Sequence, residues 1–463
     1  MLYWKEDTLV RFLELPEPLG VGGIIFQAAS QLGAFPFENL APAILDFGAL
    51  VKVVALLTGR SKKVLKRNER LRTLFRAFAV RERRVHDGGK EGGEEVGDVL
   101  VYDSDDGSED LSLAALEALD AINTHEHKKQ DVHHFHIPQE HMKKLIMLLF
   151  VISPLEETQS LSIFAPRFSP ESLESLDRTA ENILRAFGPL KTGGITYPVF
   201  KKTIRSNIPF LFDQGLPALF SHFLFSKNVS GVTTREAIPE PEPLLDHPGE
   251  ILTPDTLSQL SLFIQGDRLW RRVRPLYIGS DDGFSLGSFE TKVCKWLAPT
   301  IILVSGTCIP ANPSNSRERA FFDLLPPRRL PSADGRVVYG VFLESPWKVS
   351  HKECFGDSQT LLFQLEPVHT VWKASTQSRE YAYFNKDDGI GFGTAPQGFK
   401  NSRRPSPYFN IGPVSLVLDQ GLEYGVFTYA GEGGAFRGGT GRGEWQDRFE
   451  VEEIEVWGCG GER

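Results

Sequence analysis

The apolar residues in the first half of the chain recur at helical spacing. Residues 39–58 hold one such stripe and Gly59 follows as a stop, so the pattern predicts a mostly buried helix there. Further helices are predicted over residues 139–152 and 216–225. The stripe within 39–58 consists of Ile44, Phe47, Val51, Val54 and Leu57.

Residues 169–188 show the clearest helical pattern. Ser169 is placed to act as N-cap, and Pro170 occupies the first helical position. Six apolar residues form one stripe, which predicts an amphipathic helix packed against a core. Gly188 and Pro189 then end the helix.

After residue 250 the apolar period changes from helical to extended. A short helix over residues 254–264 precedes eight strand-like runs separated by glycine, proline and aspartate turns. Such short strands predict two packed antiparallel sheets and not a parallel α/β core. The predicted fold class is α+β, a helical amino-terminal region followed by an antiparallel β-sandwich with flanking helices. The runs are residues 300–304, 336–343, 359–365, 368–373, 380–385, 414–418, 424–429 and 449–457.

Three details of the second half carry separate predictions. In the last run the apolar positions change phase between Val451 and Ile454, which predicts a bulge or bend near Glu452. Residues 309–334, rich in proline, arginine and serine, are predicted to form a surface excursion between two strands. The glycine-rich residues 389–393 have no helix or lysine after them and predict a strand or tight turn, not a phosphate cradle.

Two low-complexity stretches divide the chain. From Asp87 to Asp110 ten carboxylates accompany one cation and six glycines, which predicts an unfolded linker. Residues 236–248 hold four prolines among acidic residues, as a semi-extended spacer does. The predicted organisation is a helical region 1–85, an acidic disordered linker 86–110, a second helical region 111–230, a proline- and glutamate-rich linker 231–250 and a β domain 251–463.

Composition narrows the class of protein. The 463 residues exceed one ordinary domain, and 41% apolar residues are enough to bury a core. The formal net charge of −9 argues against an extended nucleic-acid surface, which needs a basic surplus. We expect a globular protein of about two or three domains, without DNA or RNA as its main partner.

Cysteine usage and the opening residues bear on the compartment. Four cysteines occur without a C-x-x-C pair, which fits neither a disulfide scaffold nor a zinc ribbon and favours a reducing compartment. No apolar run approaches membrane-spanning length, and the opening residues have no signal-peptide core. Leu2 excludes the Met-Gly of myristoylation at this start. We expect a cytoplasmic location. The cysteines are Cys294, Cys308, Cys354 and Cys459.

Ser285 stands at the centre of a G-x-S-x-G pattern, the turn that exposes a serine nucleophile in one class of hydrolases. Asp334 or Glu344, followed by His351, supplies an acid and a base in the expected order. The preceding residues are charged and contain a proline, whereas such a turn follows a buried central strand. A turn that opens an amphipathic helix is therefore favoured, and a serine hydrolase using Ser285 is the alternative.

The histidines invite a metal hypothesis. Six of the eleven fall within a short segment, yet neither a cysteine nor an H-E-x-x-H helix accompanies them. A metal site and a solvated polar loop both stay open, the loop being favoured, and no metal or cofactor is assigned. The six are His125, His127, His133, His134, His136 and His141.

A basic segment lies between Arg60 and Arg84. It holds eleven cations against two glutamates, together with one apolar face. Such a helix either lies on an anionic membrane or packs its apolar face on neighbouring helices and leaves the charges in water. The packed arrangement is favoured, and a membrane-surface adaptor is the alternative. The face consists of Leu65, Leu71, Leu74, Phe75 and Phe78.

The segments beyond residue 250 resemble the TLDc domain family in order and spacing. This resemblance implies a β-sandwich with flanking helices over residues 251–463 and no established catalytic residues. It also implies roles in oxidative-stress resistance and in binding the vacuolar proton-pumping ATPase to influence its assembly. The landmarks are residues 270–277, Asp282-Gly283-Phe284-Ser285-Leu286, residues 298–304, Tyr339-Gly340-Val341-Phe342, Ser345-Pro346-Trp347, Phe355-Gly356-Asp357, residues 361–365, Tyr383-Phe384-Asn385, Leu416-Val417-Leu418-Asp419, Phe449-Glu450-Val451 and Glu455-Val456-Trp457-Gly458.

The helical half is similar to that of a fungal group of TLDc proteins, which implies an indirect link to telomere capping. Members of that group usually carry residues before the first shared segment, so this start is expected to be shortened and any amino-terminal lipid anchor to be missing. The shared segments are Tyr3-Trp4-Lys5-Glu6-Asp7-Thr8, Leu32-Gly33-Ala34-Phe35-Pro36, Phe210-Leu211-Phe212 and His222-Phe223-Leu224-Phe225-Ser226-Lys227-Asn228.

We therefore expect a non-enzymatic cytoplasmic protein, peripheral at the vacuole membrane, that binds a protein partner. No convergent nucleophile, acid and base are found, and no catalytic, cofactor-binding or metal residue is assigned. The expected partner is the vacuolar proton-ATPase, with peripheral membrane contact through the segment from Arg60 to Arg84. Trp347 and Trp457 are expected in the core and not at an interface.

Overall fold

The computed structural model describes residues 2–37, 40–63, 65–81, 135–189, 194–224, 244–245, 247–266, 269–313, 315–327, 330–397, 408–437 and 442–460. The acidic linker predicted for residues 86–110 lies outside these residues, as does most of the linker predicted for 231–250. Both stay predictions.

The amino-terminal half is helical. Its described α-helices are Glu6–Phe12 (α1), Gly22–Gly33 (α2), Phe47–Leu57 (α3), Arg67–Phe78 (α4), Gln139–Ile152 (α5), Pro170–Arg185 (α6), Tyr197–Ser206 (α7) and Leu216–Ser221 (α8). Short 3₁₀ helices occur at Glu17–Leu19, Arg60–Lys63 and Leu161–Phe168. Val80–Arg81 (β1), Phe135–Pro138 (β2) and Gly194–Thr196 (β3) pair as a small antiparallel sheet. The apolar faces of these elements share one core.

Helix α6 confirms the prediction for residues 169–188. The backbone N–H of Ser172 donates to the hydroxyl of Ser169 at 3.3 Å, so Ser169 caps the helix. Gly188 has a φ of 78°, a left-handed conformation that suits glycine at a helix end. Helix α5 has the predicted bounds, because eight consecutive buried apolar residues, 145–152, follow its more polar first half.

The prediction for residues 39–58 is wrong about which face is buried. Helix α3 is apolar on nearly every side, with Lys52 its one charged residue, so the periodicity cannot select the face that meets the core. A close approach to α2 decides it: a Cβ on Gly33 would lie 3.0 Å from Ala49. Of the predicted stripe Val54 and Leu57 are buried, whereas Ile44, Phe47 and Val51 are exposed.

The carboxy-terminal half contains one large antiparallel sheet. Its strands are Val273–Ile278 (β4), Thr300–Cys308 (β5), Arg336–Leu343 (β6), Leu361–Glu366 (β7), Thr370–Lys373 (β8), Ala382–Asn385 (β9), Gly389–Phe392 (β10), Val414–Leu418 (β11), Tyr424–Tyr429 (β12) and Trp445–Cys459 (β13). The helices are Pro254–Ser261 (α9), Gly279–Asp282 (α10), Leu286–Val293 (α11) and Ser316–Asp323 (α12). The spatial order is β8-β7-β6-β5-β13-β12-β11-β10-β9, and β4 also pairs with β13.

This sheet curls so that its strands form two layers around one core. Trp372 of β8 lies 4.9 Å from Phe427 of β12 and 6.0 Å from Trp445 of β13, measured between ring centroids. The α+β prediction is confirmed, with both layers belonging to one hydrogen-bonded sheet. Trp347 and Trp457 are buried, as expected.

Strand β5 is buried on both faces. Ile302 and Val304 point into the sandwich core, and Ile301 and Leu303 pack on the outer face together with α9 residues such as Leu257. This double burial explains why residues 300–304 form a continuous apolar run and not an alternating one.

Strand β13 is the centre of the sheet. Along one side it pairs with β5, and along the other it pairs first with β12 and then with β4. The register with β5 shifts between Val451 and Glu453, which confirms the bulge predicted near Glu452. The sequence pattern did not predict β4, because Arg274 and Pro275 interrupt it. Proline is tolerated there because β13 is the one described strand with which β4 pairs.

The excursion predicted for residues 309–334 also covers part of the sheet. Phe321 of α12 and Leu325 are buried against Val417 and Tyr424 on the outer faces of β11 and β12. The ring of Phe321 stacks on Tyr424 with centroids 5.1 Å apart. The excursion therefore contributes a small apolar cluster of its own.

Candidate interaction surface

The structure assigns Ser285 a capping role. Its hydroxyl accepts from the backbone N–H of Ser288 at 3.4 Å as N-cap of α11, after the short helix α10 and the edge strand β4. His351 instead faces Asp387, with 3.2 Å between Nδ1 and Oδ2, and both side chains are exposed. Among the described residues no hydrogen bond joins Ser285 to a histidine. Ser285 therefore lies in a turn that opens the amphipathic helix α11, as the sequence favoured.

The histidine cluster is only partly within the described residues. His136 lies in β2 and His141 in α5, whereas His125, His127, His133 and His134 lie outside. Burial is the main cause that lowers the pKa of His141. Within the described part of the chain no group of histidine, cysteine or acidic side chains has the geometry to hold a metal ion. The metal hypothesis for the other four positions stays untested.

The thiols of Cys294 and Cys354 have raised pKa values, which affects their reactivity towards oxidants. Burial raises the pKa of Cys294 to about 11 and that of Cys354 to about 12, with Glu290 and Glu380 adding smaller contributions. The thiolate is the reactive form of cysteine. At neutral pH both side chains are therefore protonated and poorly nucleophilic.

The basic segment between Arg60 and Arg84 buries its apolar face. Leu71, Leu74, Phe75 and Phe78 of α4 lie in the helical core. Some of its cations have protein partners: Nη1 of Arg70 lies 2.8 Å from a carboxylate oxygen of Asp213, and Lys62 Nζ lies 3.5 Å from the same oxygen. No described helix is long and apolar enough to cross a bilayer.

Seven large apolar side chains within residues 2–51 are exposed. We call them the amino-terminal apolar surface, and their exposed fractions range from 51% to 96%. The backbone N–H of Trp4 donates to the carbonyl of Leu45 at 2.8 Å, which brings the first residues beside the start of α3. This surface consists of Leu2, Tyr3, Phe37, Leu40, Ile44, Phe47 and Val51.

Exposure on this scale is unusual for a helix with the composition of α3. A helix that is apolar all round is normally buried on all sides, and clustered exposed apolar residues mark interaction sites in soluble proteins. Because Leu50 and Val53 already anchor the opposite face in the core, burial of Phe47 requires another molecule or another segment. The surface is therefore the candidate docking site.

A buried joint connects the helical region to the sandwich. Arg167 Nη2 lies 2.8 Å from Oδ1 of Asp255, which stands in the first turn of α9, and the hydroxyl of Ser175 donates to Oδ2 at 2.6 Å. Both charged side chains are largely buried. The pair ties α6 and the preceding 3₁₀ helix to the first helix of the β domain.

His369, between β7 and β8, is the centre of the same joint. Its Nε2 donates to the carbonyl of Asn207 at 3.1 Å, and its Nδ1 accepts from the Gln259 amide at 3.2 Å. Its backbone N–H donates to the carbonyl of Asn182 at 2.9 Å. Burial lowers the pKa of His369 to about 4, with the hydrogen bond to Asn207 opposing it, so the ring is neutral at physiological pH. The local sequence around His369 does not indicate this role, because its partners are distant in sequence.

Comparison with known proteins decides the family. The model of the TLDc domain matches residues 245–460. "Restriction of telomere capping protein 5" of Leptosphaeria maculans is 44% identical, over 99% of this chain and 83% of that protein. The proteins of the same name from Pyrenophora tritici-repentis and Neurospora crassa are 43% and 39% identical over 99% of this chain, and over 83% and 82% of their own lengths.

The chain belongs to the restriction of telomere capping protein 5 family. Its TLDc domain contains helix α9 and all ten strands of the large sheet. The family resemblance noted in the sequence is thereby confirmed over both halves. Neither the domain description nor the names of these relatives state an enzymatic activity.

Proposed function

We propose that this member of the restriction of telomere capping protein 5 family is a non-enzymatic adaptor that binds a protein partner through its amino-terminal apolar surface. That surface is the observation that carries the proposal. An apolar helix face left open has a favourable free energy of burial of about 25 cal/mol for each Å² removed from water. Docking of a partner recovers this free energy, which folding of the chain alone does not use.

The proposed partner is the vacuolar proton-pumping ATPase. This choice rests on the resemblance to the TLDc family. The adaptor acts at the cytoplasmic side of the vacuole membrane and influences oxidative-stress resistance and, indirectly, telomere capping. Binding changes the assembly of the ATPase by preferring one assembly state, since a ligand shifts an equilibrium only through differential affinity. The oxidative-stress role is assigned to that binding and not to the thiols of Cys294 and Cys354, whose pKa values burial raises.

The test measures association of the purified chain with the peripheral sector of the vacuolar ATPase. Phe47→Ser and Ile44→Ser remove apolar side chains from the surface and should weaken association at least about tenfold each. Leu297→Ser is the matched control, because Leu297 is a comparably exposed apolar residue in the β domain. It should leave association unchanged.

Two outcomes contradict this proposal. One is the absence of association at micromolar concentrations of both proteins. The other is association that Phe47→Ser and Leu297→Ser reduce to the same extent, since the amino-terminal apolar surface would then have no special role.

The non-enzymatic part has its own test. A fluorophosphonate probe should not label Ser285, because the serine hydroxyl caps α11 and has no histidine bonded to it among the described residues. Labelling of the native chain that disappears in Ser285→Ala would overturn this part.

A peripheral membrane contact completes the proposal. Arg60 and Lys62 lie in the 3₁₀ helix after α3, and both side chains are exposed. The apolar face of α4, by contrast, is buried. The contact is therefore electrostatic, through cations alone. The native chain should sediment with phosphatidylserine vesicles, and the Arg60→Glu/Lys62→Glu variant should not. Equal sedimentation of the native chain and the variant would contradict the membrane contact.

A further inference from the structure

A cleft of about 430 Å³ opens between the helical region and the β domain, beside the buried joint. Its apolar wall includes Phe263, Phe342 and Val371, each of which is buried. Arg67 of α4 and Lys373 at the end of β8 lie at its rim. The volume and the mixture of an apolar wall with a few polar groups are those of small-molecule sites.

Within the described part of the chain, the cations at this cleft have no anionic partner. Among the described residues, Arg67, Lys373 and Arg437 have neither an ion pair nor a side-chain hydrogen bond. Arg437 is held next to the cleft, because its backbone N–H donates to the carbonyl of Lys373 at 2.9 Å. Partial burial lowers the pKa of Lys373, and the charges of Arg67 and Arg437 lower it further. The ammonium group is therefore in a locally positive environment.

The position of Arg67 breaks a local rule of helix construction. It is the first residue of α4, where the helix dipole is positive and a cation is unfavourable. The acidic residue of this turn is Glu69. Its carboxylate accepts a hydrogen bond from the backbone N–H of Lys66 at 2.9 Å and so caps the helix. Violations of local preference concentrate at functional sites. The dipole adds to the positive potential that the three side chains create.

We propose that this cleft binds a phosphate monoester carried on an apolar or aromatic body. A phosphate dianion suits guanidinium and ammonium donors that have no carboxylate partner. The wall formed by Phe263, Phe342 and Val371 would cover the organic body. Such a group occurs both in soluble metabolites and in phospholipid headgroups. The proposal is independent of the amino-terminal apolar surface and of the identity of any protein partner.

The test is isothermal titration of the full chain with phenyl phosphate, adenosine monophosphate and dihexanoyl phosphatidic acid. We expect saturable binding of at least one probe with a dissociation constant of about 100 µM. Phenol, which lacks the phosphate, should not bind. Binding of phenyl phosphate or the nucleotide alone assigns a soluble ligand, and preferential binding of the phosphatidic acid assigns a lipid headgroup.

Variants locate the binding in the cleft. Lys373→Gln and Arg67→Gln should each weaken binding at least about tenfold, because each removes one charge-assisted contact. Lys373→Arg keeps the charge and should retain binding to within about threefold, which separates charge loss from misfolding. Arg178→Gln is the control, since Arg178 is an exposed cation on α6 that pairs with Glu174.

The proposal is overturned by two results. One is the absence of saturation by all three probes up to about 5 mM, which corresponds to negligible affinity. The other is binding that Lys373→Gln and Arg67→Gln leave unchanged in chains whose circular dichroism matches the native chain.

Discussion

The joint at His369 and the amino-terminal apolar surface use opposite kinds of residue in opposite environments. At the joint, charged and polar side chains such as Asp255 and His369 are buried and each has partners. At the surface, apolar side chains such as Phe47 are exposed. Paired polar groups at a buried contact fix the orientation of two regions, whereas exposed apolar groups favour contact with another molecule. Substitutions should therefore alter folding stability at the first region and association at the second.

The largest effect is expected from breaking the ion pair of the joint. Arg167→Leu leaves the carboxylate of Asp255 largely buried without its cation, and a buried charge that loses its partner costs about 3 kcal/mol in the free energy of unfolding. Urea denaturation followed by circular dichroism measures the change. Arg178→Leu breaks the exposed pair with Glu174 and should cost less than about 0.5 kcal/mol. Equal losses in both variants would show that the joint does not depend on this pair.

Acid should weaken the same joint by a somewhat smaller amount. The pKa of His369 is about 4 in the folded chain and about 6.5 when unfolded, so the unfolded chain binds more protons between these values. The contribution of the neutral ring is complete above pH 6.5 and is lost as the pH falls towards 4. By pH 5 the loss amounts to about 2 kcal/mol.

The pH effect is checked by comparing the native chain with His369→Gln. Other groups titrate in this range, so the difference between the two pH profiles is the quantity to measure. The profile of the variant should be flatter between pH 7 and pH 5. Parallel profiles would mean that His369 does not titrate as its burial requires.

The smallest effect on stability is expected at the amino-terminal apolar surface. Phe47→Ser should change the free energy of unfolding by less than about 0.5 kcal/mol, because this side chain already contacts water. Val53→Ala on the opposite face of α3 should cost about 2 kcal/mol, since Val53 is fully buried. If Phe47→Ser were as destabilising as Val53→Ala, the surface would be part of the core.

Much of the β domain could be predicted from alternation and turn residues. Strands β6, β11 and β12 have the predicted bounds, because each is bounded by turn residues that the pattern recognises. Strand β4 was missed because a proline is excluded from central strands but not from an edge. Distinguishing the two cases requires knowledge of the neighbouring strands, which a single sequence does not contain.

The candidate surface and the joint were harder to predict for different physical reasons. The periodicity of α3 identifies a helix, but the apolar residues around it leave the choice of buried face to the packing of α2. The joint depends on contacts between residues far apart in sequence, such as His369 and Asn207, separated by 162 positions. Nothing in the local pattern around His369 indicates that it is buried.

Strand β13 has a consequence for biosynthesis. It is the central strand of the large sheet, yet it follows every other strand of that sheet in the chain. While the ribosome is still adding its residues, β5 and β12 each present an open edge, and open edges invite pairing with other chains. The nascent domain therefore depends on β13 to close the gap, and chaperone protection of the two open edges before β13 pairs should raise its yield.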